Sequence, residues 1–206
     1  MPVLLGLTGN IASGKTTVGQ MLLALGAERY IDADLLVHQL YAQGQPIYAG
    51  VLSAFGEGIL APDGEIDRRK LGAIVFDHPD EMRKLEAIVH PAVHVAMAEE
   101  LQKAAPDAIV ILDAVKLLEG GSAALCKSKW LVICNEEQQL RRLIQRDGFT
   151  EEEARARLRA QPPIEPKLKL VDEVIDNSGT LEDTRAQVEA AWARFQQSLE
   201  SGGTHA

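Results

Sequence analysis

The sequence predicts an α/β fold with a central parallel sheet between layers of helix, and three observations predict it. Short apolar runs at Val3–Thr8, 108–112 and 130–134, the last two β-branched, suit buried strands. Segments of helical periodicity separate these runs, and strands alternating with helices favour a parallel sheet covered on both faces. A glycine-rich turn joins the first strand to the first helix, where α/β proteins place a ligand.

The elements follow in order. The strand Val3–Thr8 leads into a helix over 16–25, which Gly26 ends as a C-cap signal. Residues 28–31 read as a second strand, and Asp32 opens another helix. Between 43 and 69 the texture changes. Gly44, Pro46, Gly50, Gly56, Gly58, Pro62 and Gly64 break the pattern into loops and short helices. A long amphipathic helix spans 79–103, with an interruption expected at Pro91. The strand at 108–112 ends at Asp113, and 130–134 is a further strand. Helices follow at 136–146 and 150–160, the second opened by a Thr150/Glu153 capping box and stopped by Pro162 and Pro163. A last strand, 174–176, and a last helix, 180–199, complete the series. The expected organisation is a nucleotide-binding core of residues 1–42, 106–135 and 172–200. A mostly helical insertion occupies 43–105, a helical lid 136–171, and a disordered tail 201–206.

Composition narrows the function classes. Of 206 residues, 46% are apolar and 25% charged, as in a globular chain that buries a core. The net charge of −9 argues against broad binding to nucleic acid or to an anionic membrane, both of which need surplus Lys and Arg. The N-terminus lacks the basic region of a signal peptide, and no apolar run approaches the ~20 residues of a membrane span. Cys126 and Cys134 have neither metal-binding nor redox spacing, so the expectation is two reduced, packed thiols in a cytoplasmic protein.

The segment Gly9-Asn10-Ile11-Ala12-Ser13-Gly14-Lys15-Thr16 fits G-x-x-x-x-G-K-[ST], with a strand before it and a helix after it. Glycines let backbone N–H groups turn inward around phosphate, and the helix N-terminus adds positive potential. Lys15 sets a point charge on the β- and γ-phosphates, and the Thr16 hydroxyl suits Mg²⁺. Asn10, Ile11, Ala12, Ser13, Gly14, Lys15, Thr16 and Thr17 are therefore the nucleotide-binding set, for ATP with Mg²⁺. The bare alternative is a glycine turn without a ligand.

Three further groups carry weaker signals. Asp32 and Asp34 follow the second strand, where a carboxylate can orient an acceptor hydroxyl and take its proton; equally, both can cap the helix. Six of twelve arginines (141, 142, 146, 155, 157 and 159) fall within 19 residues, as in a lid that closes over phosphates. Glutamates interleave with them, so most are expected at a solvated surface, with Arg142 favoured to reach phosphate. Asp113 either holds Mg²⁺ through water or caps a helix. His90 beside Pro91 reads as a packed histidine, and Arg68 as a surface arginine.

Taken together, several of these segments resemble the dephospho-coenzyme A kinase family. They are Gly6 to Val18; Asp32-Ala33-Asp34; Ile66-Asp67-Arg68-Arg69 with Leu71; and Ile88-Val89-His90-Pro91 with Val93. Further on come Leu143 with Arg146, Gln161 with Glu165 and Lys167, and Asp172 through Gly179. The resemblance covers about 3–196. It implies a P-loop three-layer fold with a helical acceptor domain and lid, and ATP-dependent phosphorylation of the ribose 3′-hydroxyl of dephospho-coenzyme A. It makes Asp34 the general base, Lys15 the phosphate lysine and Arg142 a lid arginine, with Arg68 and His90 near the acceptor. Two positions depart from the family pattern: Asn10 stands where a second glycine is usual, and Lys116 where proline is common. Asn10 tolerates positive φ; Lys116 either contacts phosphate or acceptor, or pairs with Glu119 along a helix. Another small-molecule P-loop kinase, a GTP-dependent switch and a non-catalytic nucleotide-binding module are the competing readings. The switch lacks an N-K-x-D guanine-reading motif.

Overall fold

A computed structural model describes residues 1–119 and 121–202 of the chain. They fall into two compact units, Met1–Ile31 with Ala104 onward, and Asp32–Lys103.

The first unit holds a five-stranded sheet. Its strands are β1 (Val3–Thr8), β2 (Arg29–Asp32), β3 (Ile109–Asp113), β4 (Ser128–Ile133) and β5 (Glu173–Asp176), in the order β2-β3-β1-β4-β5. β1 pairs in parallel with both β3 and β4, and β4 with β5. From β1 the chain passes to the edge strand β2, returns to β3 beside β1, and then crosses to β4 and β5 on the other side, so a topological switch lies at the carboxyl end of β1. Pleating sends alternate residues to one face: Leu5, Leu7, Ile111, Trp130, Val132 and Ile175 join a single core. That core is closed by Val18, Met21 and Leu22 of α1 (Lys15–Ala24) and by Val188, Ala191, Trp192 and Phe195 of α9 (Leu181–Gly202). Each fully buried side chain of this size contributes roughly 1.5–3 kcal/mol relative to exposure. On the other face, Gly6 leaves room for Leu117 and Cys126; a Cβ there would lie 2.6 Å from the leucine and 2.9 Å from the sulfur.

Two helices pack as a hairpin in this unit, α6 (Glu136–Asp147) and α7 (Glu151–Arg159). Asn135 caps α6 by accepting from Gln138 N–H, and Thr150 and Glu153 form the expected capping box on α7. Gly148, at φ 70°, ends α6 in the left-handed conformation. A short helix α8 (Glu165–Leu168) follows, which the prolines of 162–166 concealed in the sequence. Ser201 and Gly202, expected in a tail, are the last residues of α9, and 203–206 lie outside the described residues.

The second unit is helical: α2 (Ala33–Leu40), α3 (Pro46–Phe55), α4 (Arg68–Val75) and α5 (Pro79–Gln102). Leu40, Ile47, Val51, Ile59, Leu71, Val75 and Ala96 form its core. The unit begins at Asp32 rather than 43, because α2 turns Leu36 and Leu40 into that core. Helix α5 runs unbroken through Pro91. Pro91 has no N–H to donate, a loss of ~3 kcal/mol in a helix interior. Packing of Leu85, Ile88, Val89, Ala92 and Val93 against the core offsets it. No helix among the described residues is long and apolar enough to cross a membrane.

Candidate active site

The loop from Gly9 to Thr16 leaves β1 at the switch point and enters α1 at Lys15. Gly9 passes so close to β4 that a Cβ would lie 2.4 Å from the Val132 carbonyl oxygen. Left-handed backbone occurs at Ala12, φ 56°, and Gly14, φ 100°. Asn10 is not among the positive-φ residues, so its tolerance of that conformation is not what the turn uses. Its side chain instead donates from Nδ2 to the Pro162 carbonyl, 3.2 Å away. The left-handed alanine costs roughly 1–2 kcal/mol. Two contacts offset this: the buried Ala12 methyl packs against Leu143 and Ala154 of the hairpin, and Arg142 Nη1 donates to the Ala12 carbonyl.

The loop's polar groups are arranged for an anion. The buried Ser13 Oγ has no hydrogen-bond partner among the described residues, a state that costs free energy unless a ligand completes it. Lys15 Nζ lies 3.3 Å from the Gly9 carbonyl and 3.9 Å from Asp113 Oδ1, folded over the loop. Asp113 is buried and accepts a hydrogen bond from the Tyr30 hydroxyl. Turns follow it at 115–119 rather than a helix, so it is not an N-cap. Thr16 and Thr17 are exposed at the start of α1. Beside the loop is a cavity of about 380 Å³, lined by Asn10, Ser13, Cys134, Gln139, Ile164 and Ser178 among others.

The six clustered arginines divide. Arg141 bonds Glu137, Arg146 bonds Asp147, Arg155 bonds Glu151, and Arg157 lies 3.8 Å over the Phe149 ring. Arg159 lines a cleft with Asn10, Gln139 and Gln161. Arg142 is the one turned to the phosphate loop, and it holds the loop's carbonyls: Nη1 donates to Ala12 O and Ser13 O, both at 3.0 Å. Gln139 likewise donates to Ile11 O at 2.8 Å, and Gln161 Oε1 accepts from Ile11 N–H at 3.1 Å. Gln139 and Tyr30 carried no motif in the sequence. Only the packing of the hairpin and of β2 brings them to this end of the sheet.

The acceptor candidates lie in the second unit. Asp32 is the N-cap of α2, accepting from Leu35 N–H at 2.8 Å, whereas Asp34 stands exposed in the first turn. Asp32 is thus the cap of α2, and Asp34 sits in the first turn of the same helix. Arg68 opens α4 after its cap Asp67 and sits 5.1 Å over the Tyr41 ring. Burial raises the Tyr41 hydroxyl pKa, which the Arg68 charge opposes. His90 is exposed on α5 rather than packed. Lys116 is exposed, and Glu119 lies 3.5 Å from the buried Lys167 ammonium, so pairing of Lys116 with Glu119 on a helix is not what this region forms. Both cysteines are free thiols. Burial pushes Cys126 up to about 11 and raises Cys134 as well, with nearby Arg142 opposing.

Comparison with known proteins gives the family and the fold. The family model described as dephospho-CoA kinase matches residues 3–183. A dephospho-CoA kinase of Geobacillus kaustophilus is 47% identical over 190 residues, 91% of this chain and 94% of that protein. A crystal structure of a Thermus thermophilus protein, 36% identical, covers 94% of this chain and 97% of its own, with a TM-score of 0.78. A shikimate kinase structure from Bacteroides thetaiotaomicron, 17% identical with a TM-score of 0.51, shares the fold alone. A match across almost the whole sheet, loop and helical hairpin carries the conclusion: this chain belongs to the dephospho-CoA kinase family.

Proposed function

We propose that the protein transfers the γ-phosphoryl group of ATP to the ribose 3′-hydroxyl of dephospho-coenzyme A, giving coenzyme A and ADP. The observation that carries the reading is the phosphate loop, in which a buried serine hydroxyl beside Lys15 lacks a partner among the described residues. The acceptor follows from membership of the family.

Phosphoryl transfer asks a protein for positioning and for charge neutralisation. The loop amides and the Lys15 ammonium hold the β- and γ-phosphates. Arg142 braces the loop from its carbonyl side. Asp34, in the first turn of α2, takes the proton of the acceptor hydroxyl. Arg68 and His90 belong with acceptor binding. The family implies Mg²⁺, and the residues suit it: the Thr16 hydroxyl and the Asp113 carboxylate are hard oxygen donors, the second acting through water. When bound, the metal neutralises charge on the phosphate oxygens. The core, helical unit and hairpin serve as nucleotide, acceptor and lid parts. The protein works in the cytoplasm, without nucleic acid or membrane as a partner. Its net charge of −9 and free thiols suit that setting.

The test incubates the purified protein with Mg·ATP and dephospho-coenzyme A and follows products by mass. Coenzyme A and ADP in equal amounts are expected. ATP consumed without coenzyme A would overturn the acceptor assignment.

A further inference from the structure

Three consecutive carbonyls of the phosphate loop are held from outside by side chains. Gln139 Nε2 donates to Ile11 O, Arg142 Nη1 to Ala12 O, and Ser13 O accepts from both Arg142 Nη1 and Asn177 Nδ2, the last at 2.8 Å. In a trans peptide the C=O and the following N–H point in opposite directions. Holding the Ser13 carbonyl outward therefore aims the Gly14 N–H inward, where a nest of amides receives phosphate.

The Asn177 amide is itself oriented. Thr184, on α9 and fully buried, donates from Oγ1 to Asn177 Oδ1 at 2.9 Å, with the Thr180 carbonyl also within reach at 3.1 Å. With Oδ1 engaged by a donor, Nδ2 is the end that faces Ser13. Asn177 is only 4% exposed. It lies so close to the loop that a Cβ on Gly14 would fall 1.9 Å from its Nδ2. Arg142 Nη2 closes the ring by donating to the Asn177 carbonyl at 3.3 Å. The network is buried, and breaking one member leaves others unsatisfied.

We propose that Thr184 and Asn177 are positioning residues for the phosphate loop. Thr184 touches no substrate; its hydroxyl selects the Asn177 orientation, which in turn sets the direction of the Gly14 amide. A solvent-inaccessible threonine on the C-terminal helix thus controls affinity for the triphosphate. The proposal rests on the reading that the loop grips ATP.

The test measures binding of ATP and of adenosine by calorimetry, together with the KM for each substrate, well below the melting temperature. Thr184→Val keeps the volume and removes the donor. It is expected to weaken ATP binding by about tenfold or more, the scale of one lost hydrogen bond in a buried network. Adenosine binding and the KM for dephospho-coenzyme A are expected to stay within about twofold. Thr184→Ser should restore ATP affinity. Asn177→Asp, which presents an oxygen to the Ser13 carbonyl, should reproduce the loss and serves if Thr184→Val does not fold. Wild-type ATP affinity in a folded Thr184→Val or Asn177→Asp variant overturns the proposal, as does equal weakening of ATP and adenosine. Failure of the wild-type protein to bind ATP would instead sink the underlying kinase reading.

Discussion

At the scale of single residues, chemistry and geometry assign different work to like side chains. Asp32 and Asp34 are two positions apart, yet the first spends its carboxylate on Leu35 N–H while the second stands exposed. Asp34→Asn keeps size and polarity and removes the proton acceptor. It is expected to lower kcat by about 10²–10⁴-fold, the range for a positioned base, with ATP affinity unchanged by calorimetry. Normal turnover would end its assignment. The thiols give a pH-dependent expectation. Burial raises Cys126 from 9.0 to about 11, so the folded protein holds that proton more tightly than the unfolded chain. Stability from this group is complete below pH 9 and is lost as pH rises towards 11. Alkylation of Cys126 below pH 9, read by peptide mass, should lag that of a free thiol by about 100-fold, as a shift of two units implies. Equal rates would mean the thiol is accessible and unshifted.

At the scale of elements, the hairpin α6–α7 does more than carry arginines. Its apolar side, Leu143 and Ala154, packs on Ala12, and Gln139 and Arg142 hold loop carbonyls. Four of the remaining arginines are taken up by acidic neighbours or by Phe149. Exposed pairs of that kind contribute about 0–1 kcal/mol each. The start of α7 depends on Thr150, which accepts from Glu153 N–H while Glu153 accepts from Thr150 N–H. Thr150→Ala should destabilise the protein by about 1 kcal/mol, measured by denaturant midpoint with an unchanged slope. An unaltered midpoint would show that packing alone holds α7 in place.

At the scale of the whole molecule, the sheet order β2-β3-β1-β4-β5 puts β1 at the centre and the loop at a switch point. Residues far apart in sequence then converge on eight loop residues. Asn177 and Ser13 are 164 positions apart and directly bonded. The helical unit has its own core and begins at Asp32, so α2 folds with the acceptor candidates Arg68 and His90. ATP calorimetry reads the phosphate loop, which lies wholly within the first unit.

The features legible in the amino-acid order are local ones. Alternating apolar strands and helices defined the α/β class, the G-x-x-x-x-G-K-T spacing defined the phosphate loop, and Thr150 with Glu153 defined a helix start. All of these depend on neighbours within a few positions. Packing across the fold is what turns Arg142 to the loop carbonyls, bonds Tyr30 to Asp113, carries α5 through Pro91 and joins α2 to the helical unit. Each of these is set by burial and by partners distant in the chain, where packing outweighs local propensity and leaves no periodic mark in the sequence.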